Sequence, residues 1–106
     1  MNESTVQELK EKMDNGDSFF LLDVREPFEY NISNINGELL PIDQLPDRIE
    51  ELEDKKNIEI VVMCRSGNRS AKACELLSGH GFSDVKNLKG GINAWAKEID
   101  NSLPVY

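Results

Sequence analysis

The chain has 106 residues, of which 39% are hydrophobic and 30% charged, and carries a formal net charge of −8. That balance predicts one soluble domain over residues 1–106, large enough for a single core. The acidic excess argues against nucleic acid and anionic membrane surfaces as partners, and no apolar run approaches the ~20 residues of a membrane span. Met1-Asn2-Glu3-Ser4 has neither the charged nor the apolar region of a secretory leader, so a cytoplasmic location is expected.

In chain order, Ser4-Thr5-Val6-Gln7 has the S-x-x-[EQ] form of a capping box, and Val6, Leu9 and Met13 follow at helical spacing. These predict a first helix over 5–13, closed by Asp14-Asn15-Gly16-Asp17 with Gly16 available as a left-handed cap. Phe19 to Val24 reads as an apolar strand whose end carries Asp23 and Arg25. Pro27 suits the first turn of a short helix bearing Phe28, Glu29 and Tyr30, Ser33 to Gly37 is a turn, and Glu38-Leu39-Leu40 is a short strand that Pro41 stops. Asp43 is then placed to cap a helix whose Leu45, Ile49 and Leu52 fall at i, i+4 and i+7. Its other side, Asp47, Glu50, Glu51, Glu53 and Asp54, reads as a solvated acidic face, and Lys55-Lys56-Asn57 leads into the next strand.

That strand, Ile58 to Met63, is apolar and largely β-branched, the composition of a strand buried on both faces. The pattern then breaks at Cys64-Arg65-Ser66-Gly67-Asn68-Arg69, where Gly67 and Asn68 tolerate positive φ, and resumes with a helical stripe of Ser70, Ala73, Cys74 and Leu77. A cysteine at the end of a buried strand, followed by a tight loop and a helix start, sits where inward-pointing backbone N–H groups and the helix dipole make an anion cradle. In that cradle, with Arg65 and Arg69 beside it, the Cys64 thiol is expected to titrate below an ordinary thiol. The competing reading, an inert buried cysteine, needs neither the glycine nor the two arginines. Cys74 falls on the apolar stripe and reads as core.

Beyond the helix, Gly81 with Phe82 resembles a glycine cap and its apolar contact, and His80, the only histidine, reads as a surface residue. Without a histidine base, Cys64 depends on the cradle and the arginines for activation. Val85 to Leu88 is the last strand, and Gly90-Gly91 turns into a final helix with Ile92, Trp95, Ala96 and Ile99 on its core side. Strands alternating with helices predict an α/β sandwich with a mostly parallel sheet. Two cysteines and one histidine form neither a disulfide framework nor a zinc ligand set, so no metal and no cofactor is expected.

Cys64-Arg65-Ser66-Gly67-Asn68-Arg69-Ser70 resembles the active-site loop of rhodanese-like sulfurtransferases. Asp23-Val24-Arg25-Glu26-Pro27-Phe28-Glu29-Tyr30 matches that family's early D-x-R-x-x-x-E-[FY] motif, and Gly81-Phe82, Asn87-Leu88 and Gly90-Gly91-Ile92-Asn93-Ala94-Trp95 match its late pattern. Where the family usually has G-H-I-x-G-A, this chain reads Ser33-Asn34-Ile35-Asn36-Gly37-Glu38, keeping Ile35 and Gly37 of the turn. The resemblance implies a three-layer α/β/α sandwich and a Cys64 that carries transferable sulfur as a persulfide, taken from thiosulfate or a protein persulfide and passed to a thiophilic acceptor.

On that reading Arg65, Ser66, Gly67, Asn68 and Arg69 form the substrate-binding loop, while Asp23, Arg25 and Glu29 make a charge and hydrogen-bond network that holds the loops around the pocket. The nearest rival chemistry is a cysteine-dependent phosphatase or arsenate reductase, whose C-x5-R loop is one residue longer than the C-x4-R of Cys64 to Arg69. The rival of another class is a non-catalytic interaction module, which often lacks the cysteine this chain keeps. The ending from Ala94-Trp95 to Leu103-Pro104-Val105-Tyr106 resembles rhodanese domains fused behind adenylating enzymes, which suggests a sulfur-relay protein partner.

Overall fold

The structure, a computed structural model, describes residues 2–106. Five strands, β1 (Asn2–Ser4), β2 (Phe20–Asp23), β3 (Glu38–Leu39), β4 (Glu59–Met63) and β5 (Asp84–Leu88), form one sheet in the spatial order β1, β5, β4, β2, β3. Every pairing is parallel. Parallel neighbours need crossovers, and these carry α1 (Val6–Asn15), α2 (Pro27–Ile32), α3 (Leu45–Arg48) and α4 (Asn68–Gly79), with α5 (Gly91–Glu98) following the last strand.

Because side chains alternate along a strand, β4 serves two cores at once. Ile60, Val62 and the following Cys64 pack with Leu45, Ile49 and Leu52 and with Ala73, Cys74 and Leu77 of α4. Val61 and Met63 pack on the opposite face with Val6 and Leu9 of α1 and Ile92 and Trp95 of α5. With both faces covered, residues 60–63 are fully buried, and the layers are helix, sheet and helix. The α/β sandwich is therefore the observed architecture, with a sheet that is wholly parallel. Among the described residues no helix is long and apolar enough to cross a membrane.

Three local features differ from expectation. Asn2-Glu3-Ser4 is a strand, paired with Lys86 to Leu88 of β5; it carries no apolar signature because only Ser4 is buried. With Ser4 in that strand, the capping box moves one residue on. Thr5 Oγ1 accepts from Glu8 N (3.1 Å), and Thr5 N donates to Glu8 Oε1 (2.9 Å). Asp43 does not cap a helix: it lies in a 3-10 turn over Ile42–Gln44, and Gln44 occupies the cap position of α3. Pro46 accounts for the shift: with Asp43 as cap it would be the third helical residue, where it has no N–H for the capping side chain to bind. A second 3-10 segment, Ile49–Lys55, keeps Ile49 and Leu52 in the core.

At the far end of α4, Gly81 (φ +87°) donates to Ser78 O (3.1 Å) and Phe82 to Leu77 O (3.1 Å), while buried Phe82 joins the α4 core cluster. This is the expected glycine cap with its apolar contact. His80 is exposed.

Candidate active site

In an open α/β sheet, sites assemble beyond the strands' carboxyl ends. Here β2 and β4 are neighbours, with Asp23 in register with Met63, so the Asp23-x-Arg25 segment and Cys64 emerge side by side. Gly67 (φ +110°) turns the chain from β4 into α4, a conformation L side chains rarely adopt. The turn aims donors at the sulfur. Gly67 N donates to Cys64 Sγ (3.1 Å), and Ser70 Oγ lies 3.3 Å from it, one turn into α4.

Cys64 is only 1% exposed, and burial alone pushes a thiol up. The Ser70 hydroxyl and then the amides of Ser70, Gly67 and Ser66 oppose that burial, and the net result is a thiol below its ordinary value. Arg69 interacts with Cys64 by charge, but the hydroxyl and amides lead the lowering and neither arginine bonds the sulfur. Arg69 is committed to a two-pronged pair with Glu29 (2.6 and 2.8 Å), and Arg65 lies over the Tyr106 ring, its Cζ 5.0 Å from the centroid.

The cradle is held from behind by α5. Ile92 N donates to Cys64 O (3.0 Å) and Asn93 N to Arg65 O (3.1 Å), so the orphan amides of a helix start bind the carbonyls of the loop. With those carbonyls engaged by α5, the amides of the following residues are left to face the sulfur. The approach is close enough to require glycine. A Cβ on Gly91 would lie 2.4 Å from Cys64 O and 2.5 Å from Arg65 O. Asn87 of β5 braces the same turn, donating from Nδ2 to Gly67 O (3.1 Å) and accepting the Ser70 hydroxyl on Oδ1.

Beside the loop lies a buried charge network. Arg25 is fully buried, its Nε and Nη2 donating to Asp23 (3.0 and 2.8 Å), Nη2 to Ser33 O (2.9 Å), and Nη1 to Glu29 O (3.2 Å) and the Tyr106 hydroxyl (2.9 Å). The Tyr106 hydroxyl donates in turn to Glu29 Oε2 (2.8 Å). The Arg69 guanidinium chiefly, with help from the Glu26 amide and Tyr106, overcomes burial and holds the Glu29 carboxyl down to about 2. Asn93 fixes the Tyr106 backbone, accepting from its N–H (3.3 Å) and donating to its carbonyl (3.1 Å). Asp23, Arg25, Glu29, Arg69 and Tyr106 thus form one connected set.

Of the loop residues singled out in the sequence, Gly67 is buried while Arg65, Ser66 and Asn68 are exposed. Sequence reasoning missed Ser70 as a sulfur contact and missed Asn87, Asn93 and Tyr106. Asn87 carried a readable signal, since a polar residue inside a buried strand needs partners. In the departing turn, Asn34 Oδ1 accepts from Asn36 N (3.0 Å), and Asn36 takes a positive φ of 64°. Cys74 is buried, and burial pushes its thiol up to about 12. Among the described residues no three His, Cys, Asp or Glu side chains converge to hold a metal ion.

Comparison with known proteins agrees with this fold. The Rhodanese-like domain family pattern matches residues 5–98. A sulfurtransferase of Allochromatium vinosum is 36% identical over 106 residues, covering 99% of this chain and 94% of its own. The maize adenylyltransferase and sulfurtransferase MOCS3-1 is 34% identical over 96% of this chain, but this chain spans only 23% of that protein. The crystal structure of a rhodanese-like domain protein from Staphylococcus aureus superposes with a TM-score of 0.83 at 34% identity, over 100% of this chain and 99% of that one. A family pattern that spans most of the chain, and a relative 36% identical over nearly the whole of both sequences, show that the chain belongs to the rhodanese-like domain family.

Proposed function

We propose that this chain is a sulfurtransferase that carries sulfane sulfur on Cys64 as a persulfide. The observation that carries the reading is the pair of donors within reach of one sulfur at the start of α4: Gly67 N donates at 3.1 Å, and the Ser70 hydroxyl, 3.3 Å away, can turn to donate once the sulfur is a thiolate. Those donors favour a negatively charged sulfur there. With thiosulfate as donor, the Cys64 thiolate attacks the outer sulfur, the S–S bond of the donor breaks, and sulfite leaves with the bonding pair. The charge then resides on the outer sulfur of the persulfide. A thiophilic acceptor, such as cyanide or a thiolate, attacks that outer sulfur and regenerates the Cys64 thiolate.

The amides of residues 66–70 stabilise charge during each transfer, and exposed Arg65 attracts the anionic donor. The network of Asp23, Arg25 and Glu29 keeps Arg69 and the loop in place rather than touching the reacting atoms. A protein persulfide as donor, and a sulfur-relay protein as partner, fit a chain that resembles part of proteins named adenylyltransferase and sulfurtransferase.

The test is incubation with thiosulfate followed by mass spectrometry of the peptides. The expected result is one added sulfur on the Cys64 peptide, none on Cys74, none in Cys64→Ser, and thiocyanate on adding cyanide. A protein that ignores thiosulfate and hydrolyses an aryl phosphate would overturn the reading in favour of phosphatase chemistry.

A further inference from the structure

Cys64, Ser70, Asn87 and Gly67 close a ring of hydrogen bonds buried beneath the loop. Gly67 N donates to Cys64 Sγ, Cys64 Sγ meets Ser70 Oγ, Ser70 Oγ donates to Asn87 Oδ1, and Asn87 Nδ2 donates to Gly67 O. Ser70 is 0% and Asn87 5% exposed, so solvent replaces none of these partners. The orientation of the Asn87 amide is fixed, because Gly67 O can only accept and so selects Nδ2. Its Oδ1 therefore faces Ser70 as an acceptor.

Ser70 has one hydroxyl proton and two groups that want it. While Cys64 is a thiol, its S–H donates to Ser70 Oγ and the Ser70 proton goes to Asn87, so every donor in the ring points the same way round. When Cys64 ionises, its proton passes to solvent base and the sulfur becomes an acceptor only. The Ser70 hydroxyl must then turn to the sulfur, which leaves Asn87 Oδ1 buried without its donor, an unfavourable state.

We infer that Asn87 is a positioning residue for the Cys64 thiolate, acting by competing with the sulfur for the Ser70 proton. This sets how readily the nucleophile forms, against the helix start and amides that favour it. The neighbouring charges do not duplicate the device. Arg69 is paired with Glu29, Arg25 with Asp23, Arg65 lies over Tyr106, and the Cys74 thiol behind Cys64 is kept neutral by burial. The inference rests on Cys64 being the reactive thiol. Its test reads ionisation rather than sulfur transfer, so it and the proposed function can fail separately.

The rate of Cys64 alkylation against pH gives the thiol's midpoint. Asn87→Ala frees the Ser70 proton and should lower the midpoint by about 0.5 to 1 pH unit, the size of one hydrogen bond. Ser70→Ala should raise it, and the double variant should lie at or above Ser70→Ala, because without the hydroxyl Asn87 reaches the sulfur only by bracing Gly67, whose amide favours the thiolate. In the unmodified protein, the side-chain carbonyl carbon of Asn87, followed by NMR, should move with the Cys64 midpoint and lie flat in Ser70→Ala. That titration decides the matter even if Asn87→Ala does not fold. A raised or unchanged midpoint in folded Asn87→Ala, the same lowering in the Ser70→Ala background, or an Asn87 carbon that ignores Cys64 ionisation would each overturn the inference.

Discussion

Replacing Gly91 with alanine tests how the cradle is held. The added Cβ would sit 2.4 Å from Cys64 O and 2.5 Å from Arg65 O, both backbone atoms with little freedom to yield. Restoring ordinary contact requires α5 and the loop to separate by roughly 1 Å, which stretches the 3.0 and 3.1 Å bonds from Ile92 N and Asn93 N beyond hydrogen-bond range. Losing two such bonds costs about 2 kcal/mol, and a side chain at φ +59° adds about 1 kcal/mol, for a total of about 3 kcal/mol. Gly16→Ala is the control, because Gly16 has a similar φ of +69° but nothing within 4 Å of its would-be Cβ, so only the ~1 kcal/mol conformational cost applies. Urea unfolding of both variants measures the difference, and sulfur uptake should fall at least ~10-fold in Gly91→Ala alone. Equal destabilisation by the two substitutions would refute the account of α5 as the clamp on the loop.

The Glu29 carboxyl, held at about 2 when folded against an ordinary 4.5, contributes stability above its unfolded value that is lost as pH falls from about 5 to about 2. Denaturation across that range should show up to about 3 kcal/mol separating wild type from Glu29→Gln at pH 7 and a shrinking gap on acidification; a constant gap would contradict the pairing with Arg69. Tyr106→Phe removes the partner of both Arg25 Nη1 and Glu29 Oε2, and should cost about 1–3 kcal/mol and raise the Glu29 titration seen by carboxyl-carbon NMR. Iodoacetamide at mildly alkaline pH should label Cys64 but not Cys74 in the folded protein, and both in urea, because burial holds Cys74 at about 12. Inserting one glycine after Gly67 should depress sulfur transfer at least ~10-fold by drawing amides from the sulfur, measured as thiocyanate formed.

What could be read directly from the sequence was local or periodic. The apolar run at 60–63 announced a strand covered on both faces, and the stripe of Ser70, Ala73, Cys74 and Leu77 is the buried side of α4. Cys64 followed by Gly67 placed a thiol beside a tight turn. The less legible features depend on distant partners. Asn2-Glu3-Ser4 is extended because of Asn87 and its neighbours in β5, and no property of those three residues says so. Ser70 looked like a small residue on a helical stripe, and its contact with sulfur needs the turn at Gly67 to be built first. Arg69 looked free to serve Cys64 because Glu29, its partner, lies forty residues earlier. Asp43 misled for a nearer reason: Pro46 sets where the helix starts, and it outweighs a good capping residue one position too early.

The pairing of β1 with β5 makes order of synthesis matter. Among the described residues β1 comes first in the sequence and pairs with β5, the strand that comes latest, with Asn2 opposite Lys86 and Ser4 opposite Leu88. Until β5 is available, β4 presents a bare edge of Ile60, Val61 and Val62, apolar and β-branched, the profile of a segment that pairs with other chains. Closure of this sheet depends on long-range pairing, which is slow relative to helix formation. A nascent or truncated chain lacking residues 84–88 would therefore hold its apolar central strand open to aggregation, and chaperone demand should drop sharply once that segment emerges.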